Sequence, residues 1–126
     1  MSCSVTIGQN NTENKQLEAF GLKDSDQIVL DGQLNEGFWS NAVGVSDFTM
    51  TVPVEGGDPT EETVVKIVYD ENNLYIGVKM LDGDPSEIKS FQKSRDADLS
   101  TDDRFAWILD TFQDYRNAYY FEINPA

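Results

Sequence analysis

Polar and apolar residues alternate with period two along four stretches of the chain, the pattern of half-buried β-strands. In the most aromatic stretch, Phe105, Trp107 and Leu109 fall on one side and Arg104, Ala106, Ile108 and Asp110 on the other. Tyr119, Phe121 and Ile123 repeat the pattern against Ala118, Tyr120, Glu122 and Asn124. The polar residues 111–117 between them predict a hairpin loop longer than the tightest kind. A second hairpin is predicted upstream. Thr63, Val65, Ile67 and Tyr69 alternate with Val64, Lys66 and Val68, and after a turn at residues 70–73, Leu74, Ile76, Val78 and Met80 alternate with Tyr75, Gly77 and Lys79. These two strands are expected to be central.

Weaker signals fill the rest. Residues 27–30 read as a short strand ending at the turn pair Asp31-Gly32, and residues 48–52 as a strand with Phe48, Met50 and Val52 inward. Asn35 is the expected N-cap of about one helical turn, with Glu36 in its first turn and Phe38, Trp39 and Ala42 on its buried side. Gly37 argues against a longer helix. Ser86 is the expected cap of a short helix or irregular arm over residues 86–92, with Ile88 and Phe91 three apart. Residues 53–59 and 93–102 read as loops. Leu17, Ala19, Phe20 and Leu22 predict one strand or a docking segment within an otherwise polar tail. The predicted organisation is a partly disordered tail over 1–25 and one domain over 26–126. Six or seven strands, one or two short helical turns and no βαβ spacing predict an all-β fold, an antiparallel β-sandwich of two packed sheets.

Composition narrows the function. The 126 residues hold 23 acidic and nine basic side chains, for a net charge of −14, which disfavours nucleic acid and anionic membranes as partners. No apolar run approaches the roughly 18 residues of a membrane span, so no membrane insertion by this segment is expected. The opening residues lack the basic and apolar regions of a signal peptide. Cys3 stands behind a small residue and reads equally as a lipoprotein cysteine or an ordinary thiol. As the only cysteine it allows neither an internal disulfide nor a cysteine-rich zinc site. The absence of histidine removes Ser-His-Asp and Cys-His catalysis and His-ligated metals, and shifts the expectation from an enzyme to a binding or structural protein. A haem role would leave only Met50, Met80 or Cys3 as soft ligands and ranks last.

Several stretches together resemble family 9 carbohydrate-binding modules and their relatives. They are Asp31-Gly32-x-Leu34-x-Glu36-x-x-Trp39-x-x-Ala42, the hairpin over 64–82, DRFAWILD over 103–110, and YFEINPA at the end of the chain. With Arg95-Asp96 and Asp102-Asp103, the chain looks like the N-terminal domain ahead of a predicted outer-membrane barrel region in large bacterial surface proteins. The resemblance implies a two-sheet sandwich, calcium as a cofactor, a polysaccharide or oligosaccharide partner, and an exported location: periplasmic, cell-surface or secreted. It also implies further strands after NPA, hence a module incomplete at its C-terminus. An unpaired sheet edge would then favour a homodimer. Three positions depart from the sugar-binding pattern. Ser100 stands near an expected stacking tryptophan, Ala106 near a polar residue and Glu122 near a sugar-contacting arginine.

The candidate sites follow. Calcium takes about six to eight oxygen ligands on flexible loops, and Asp96, Asp98, Asp102 and Asp103, with Asp110 and Asp114 across the hairpin, supply carboxylates. Their spacing is not that of an EF-hand, and a solvated acidic loop paired to Arg95 or Arg116 is the competing reading. Tyr75, Tyr115 and Tyr120 are the candidates for stacking against sugar; Tyr119 is expected inward, and amphipathic cover of the outer sheet face is the favoured competing reading for Tyr75 and Tyr120. Trp39 and Trp107 fall on predicted buried faces and are assigned to the core. With so many carboxylates some pair would meet the roughly 5–9 Å glycosidase spacing by chance, so hydrolysis is not assigned. Lys66, Lys79 and Lys89 are dispersed in sequence and suggest no basic cluster. The expected function is a non-catalytic carbohydrate-binding-like module, with a structural or protein-interaction domain that has lost the sugar site as the alternative.

Overall fold

The computed structural model describes residues 4–7 and 15–126, with side chains from residue 16 onward. The protein is mostly strand with very little helix: β1 (Ser4–Ile7), β2 (Lys15–Glu18), β3 (Phe20–Gly21), α1 (Gly37–Asn41), β4 (Gly44–Val45), β5 (Thr63–Tyr69), β6 (Leu74–Met80), a 3-10 turn (Pro85–Glu87), β7 (Phe105–Leu109) and β8 (Tyr119–Ile123). The chain divides into two compact units, Met1–Asp82 and Gly83–Ala126.

In the first unit, β5 is the organising strand. Along one edge it pairs antiparallel with β6 through all seven residues, Thr63↔Met80 to Tyr69↔Leu74. It also pairs antiparallel with β4 at Val65 and Lys66, and parallel with β3 at Val68 and Tyr69. The parallel rung departs from the purely antiparallel expectation. It arises because β3 joins the sheet from far upstream rather than through a tight turn. β1 and β2 form a separate antiparallel pair.

Period two sorts the β5 side chains onto two faces, and each face has its own apolar cluster. One cluster joins Phe38, Trp39 and Ala42 to Val68, flanked by Phe20, Leu22, Ile28, Leu34 and Tyr75. Here α1 lies over Gly77: a Cβ at that position would meet the Trp39 indole at 2.8 Å. The opposite cluster joins Leu17 and Ala19 to Ile67, flanked by Val45, Tyr69 and Ile76. Val68 is completely inaccessible to solvent and Leu17 nearly so. Leu17 and Ala19 precede the expected domain start at residue 26, yet they cover one face of the sheet.

The predicted helical turn occurs where expected, with Phe38, Trp39 and Ala42 buried, but its cap position is Glu36 and no side chain caps it. Asn35 Nδ2 donates to Gln33 Oε1 instead. Residues 27–30 and 48–52 are not strands. Neither stretch finds a partner strand among the described residues. The Val29 amide donates to Glu36 Oε1, and Met50 closes a local loop with Gly56 and Gly57. Val29, Leu30 and Val52 are exposed, whereas Phe48 and Met50 are half-buried, so the inward face expected of 48–52 is present only in part.

In the second unit β7 and β8 pair antiparallel, Phe105↔Ile123 to Leu109↔Tyr119. Trp107 stacks between Phe105 and Phe121, with ring centroids 5.7 and 5.3 Å away. The alternation of β7 is as read: Phe105, Trp107 and Leu109 are half-buried, Ala106 and Ile108 exposed. That of β8 is not. Tyr119, Phe121 and Ile123, expected inward, are exposed, and Glu122 is the half-buried residue. The 3-10 turn Pro85–Glu87 overlaps the start of the arm expected over residues 86–92, and its cap is Asp84, which accepts from the Ser86 amide, rather than Ser86 itself. Ile88 and Phe91 are exposed.

Candidate functional site

The second unit contains an open cleft of about 740 Å³. One wall is the loop Gln92, Lys93, Ser94, Arg95, Asp96 and Ala97, with Leu99; the other is Tyr120 to Asn124 of β8 and its extension, with Ala126. Successive residues of a strand point to opposite faces, so a run of five lining residues means that the outer edge of β8 borders the cleft.

Asp102 holds the two walls in register. It is buried, and its Oδ2 accepts from the amides of Phe91 (2.8 Å) and Gln92 (2.9 Å) and from Asn124 Nδ2 (2.8 Å). Thr101 Oγ1 donates to Oδ1. Asn124 Nδ2 also donates to the Gln92 carbonyl, tying the end of β8 to the loop. Asp103 adds a reciprocal pair with Lys89: its carboxylate accepts from the Lys89 amide, and its own amide donates to the Lys89 carbonyl. Donation by the Gln92 amide, with Asn124 and Phe91 behind it, outweighs burial and holds the Asp102 carboxyl below the usual aspartate range.

Tyr120 is half-exposed at the cleft, and its hydroxyl donates to Glu122 Oε2 at 2.9 Å. That bond to a carboxylate raises the phenol pKa. Arg104 Nη1 lies 3.5 Å from the same Glu122 oxygen. The cleft thus presents an aromatic ring, a carboxylate whose orientation is fixed from two sides, the amides of Gln92 and Asn124, and the cations Lys93 and Arg95.

Of the three tyrosines singled out in the sequence, only Tyr120 lines this cleft. Tyr75 lies in the first unit. Its ring packs on the Phe38–Trp39 cluster and its hydroxyl donates to Asp70 Oδ2, which raises its pKa. Tyr115 stands in the β7–β8 loop, 97% exposed, with φ of 55°. Gln92, Lys93 and Asn124 were not singled out, and Arg95 only as a partner for an aspartate. The available signal was the polar run QKSR just ahead of the Asp102-Asp103 pair.

Five of the six aspartates accept from backbone amides, Asp96 being the exception. Asp98 accepts from the Ser100 amide, which leads in holding its pKa down. Asp110 accepts from the amides of Phe112 and Tyr115. Asp114 accepts from the amides of Arg116 and Asn117 and from the Asn117 side chain, and its pKa is lowered with the Asn117 amide as the leading cause. Asp96 has φ of 59° and an exposed, 3.8 Å pairing with Arg95. Among the described residues, no three carboxylates or thiols gather as a metal-holding group. Asp98, Asp110 and Asp114 thus close turns on amides a few residues away, whereas Asp102 and Asp103 bond amides ten or more residues back.

No helix among the described residues is long and apolar enough to cross a membrane. Compared with protein-family models, curated proteins and solved structures, the chain matches none.

Proposed function

We propose that the protein is a non-catalytic carbohydrate-binding-like module of a larger exported protein, and that the cleft between β8 and the loop 92–97 is its glycan site. The observation that supports this reading is the placement of Tyr120 beside Glu122, Gln92 and Asn124 in one open cleft. A sugar offers C–H faces to an aromatic ring and hydroxyls to carboxylates and amides, so this side-chain set suits it. In this reading the fold is the two-sheet sandwich that the resemblance implies, and calcium stabilises the acidic loop 96–103 without touching the sugar. A glycan array probed with the whole chain tests the proposal. Binding that Tyr120→Ala weakens about tenfold supports it, and silence of the array with folded protein retires it. Thermal melts with millimolar calcium test the cation separately: a rise in Tm supports the metal, an unchanged Tm removes it.

One observation favours a second reading, a protein-interaction domain. The outer edge of β8 borders the cleft, and an extended peptide can add to an open edge through main-chain hydrogen bonds. An edge of this kind would equally serve the homodimer expected above. Sedimentation distinguishes the two, since only self-pairing makes the mass depend on concentration.

A further inference from the structure

A basic cavity lies in the first unit and shares no lining residue with the glycan cleft. Antiparallel register sets Lys79 opposite Val64 and Lys66 opposite Gly77, which places both lysines on the sheet face that α1 covers. Their separation in sequence conceals this pairing. Together with Leu34, Trp39, Ser40 and Val64 they line a cavity of about 210 Å³. None of these lining residues is acidic, although acidic side chains outnumber basic ones by 23 to nine in the chain.

Lys66 is fixed in place. Its stem runs beside Gly44, where a Cβ would meet its Cε at 3.3 Å, and its Nζ donates to the Trp39 carbonyl at 2.6 Å. An ammonium carries three donors, so two remain for other partners. Lys79 is exposed, and so is the hydroxyl-bearing Ser40. Two like charges on neighbouring rungs of one sheet face repel, and an anion seated between them removes that cost. We propose that this cavity binds a small oxyanion, a carboxylate or sulfate group, with Lys66 and Lys79 supplying charge and Ser40 a hydroxyl donor. The lining residue types suit one anionic group rather than a polyanion, which the net charge of −14 would repel.

The test is an NMR titration of the full chain with sodium sulfate, sodium acetate and sodium glucuronate, each against sodium chloride at equal ionic strength. Saturable shifts are expected at Trp39, Ser40, Lys66 and Lys79. Lys79→Gln should weaken binding about tenfold and Ser40→Ala about threefold, in line with charge-assisted and neutral hydrogen bonds. Lys89→Gln, in the other unit, should leave it unchanged. Saturation by all three salts identifies the ligand as the oxyanion itself; saturation by glucuronate alone identifies an acidic sugar. Shifts that rise linearly without saturating, or that persist unchanged in both Lys79→Gln and Ser40→Ala, overturn the proposal. A silent glycan array leaves this result unaffected, because no residue is shared between the two sites.

Discussion

At the scale of single residues, Asp102 is the side chain on which the cleft depends. It is 8% exposed and accepts from two backbone amides, an Asn side chain and a Thr hydroxyl. Replacing it with alanine leaves those donors without an acceptor, and buried donors left unmatched are costly. Asp102→Ala should lower the Tm of the second unit by roughly 5–10 °C and reduce binding at the cleft, measured by calorimetry and titration. Asp102→Asn keeps one acceptor and should fall between. Tyr115 presents the opposite case. It holds a left-handed backbone conformation with its ring in solvent, so Tyr115→Gly should stabilise by about 1 kcal/mol in chemical denaturation. None of this was legible in the sequence. The density of aspartates was plain, but carboxylates that close turns and carboxylates that gather on a cation look alike until their amide partners are known.

At the scale of elements, period two was informative where both faces are covered. β5 and β6 have the bounds their alternation predicts because α1 covers one face and Leu17 with Ala19 the other. Residues 48–52 alternate too, and Phe48 and Met50 are half-buried, yet Val52 is exposed and, as at residues 27–30, the backbone bonds locally. Alternation marks a capacity to be a strand, and a neighbouring strand is needed to realise it. The parallel β3 contact was invisible for a related reason: two residues carry no readable period. The docking of α1 gives an element-scale prediction. Gly77→Ala drives a methyl into the Trp39 indole, so it should cost about 1–3 kcal/mol. It should also shift tryptophan emission to longer wavelength, as the indole of Trp39 is partly displaced into water. Unchanged emission and stability would show that α1 can move aside without loss.

At the scale of the whole molecule, charge governs behaviour in solution. Glu36, Asp70, Asp84, Asp98, Asp102 and Asp114 all have carboxyl pKa values lowered by hydrogen-bond donation. A carboxylate that binds its proton more weakly when folded contributes stability above the unfolded pKa of about 4, and loses it as pH falls through the folded value. Towards neutrality, the net charge of −14 sets up self-repulsion. Stability should therefore peak at mildly acidic pH, fall steeply below about pH 4, and at pH 7 rise with added salt as screening takes effect. Melting curves across pH and ionic strength check both trends; a Tm indifferent to salt at pH 7 would count against the repulsion.

The lone parallel rung has a kinetic consequence. Phe20 and Gly21 reach Val68 and Tyr69 across the intervening chain, whereas Tyr69 and Leu74 meet through a turn of four residues. Closing the longer loop sacrifices more chain freedom for only two residues of pairing. The amide of Leu22, which donates to the Tyr69 carbonyl beside that rung, should then exchange its hydrogen for deuterium well before the amides shared by β5 and β6 do. On this account the first unit should begin to open at the segment around Phe20.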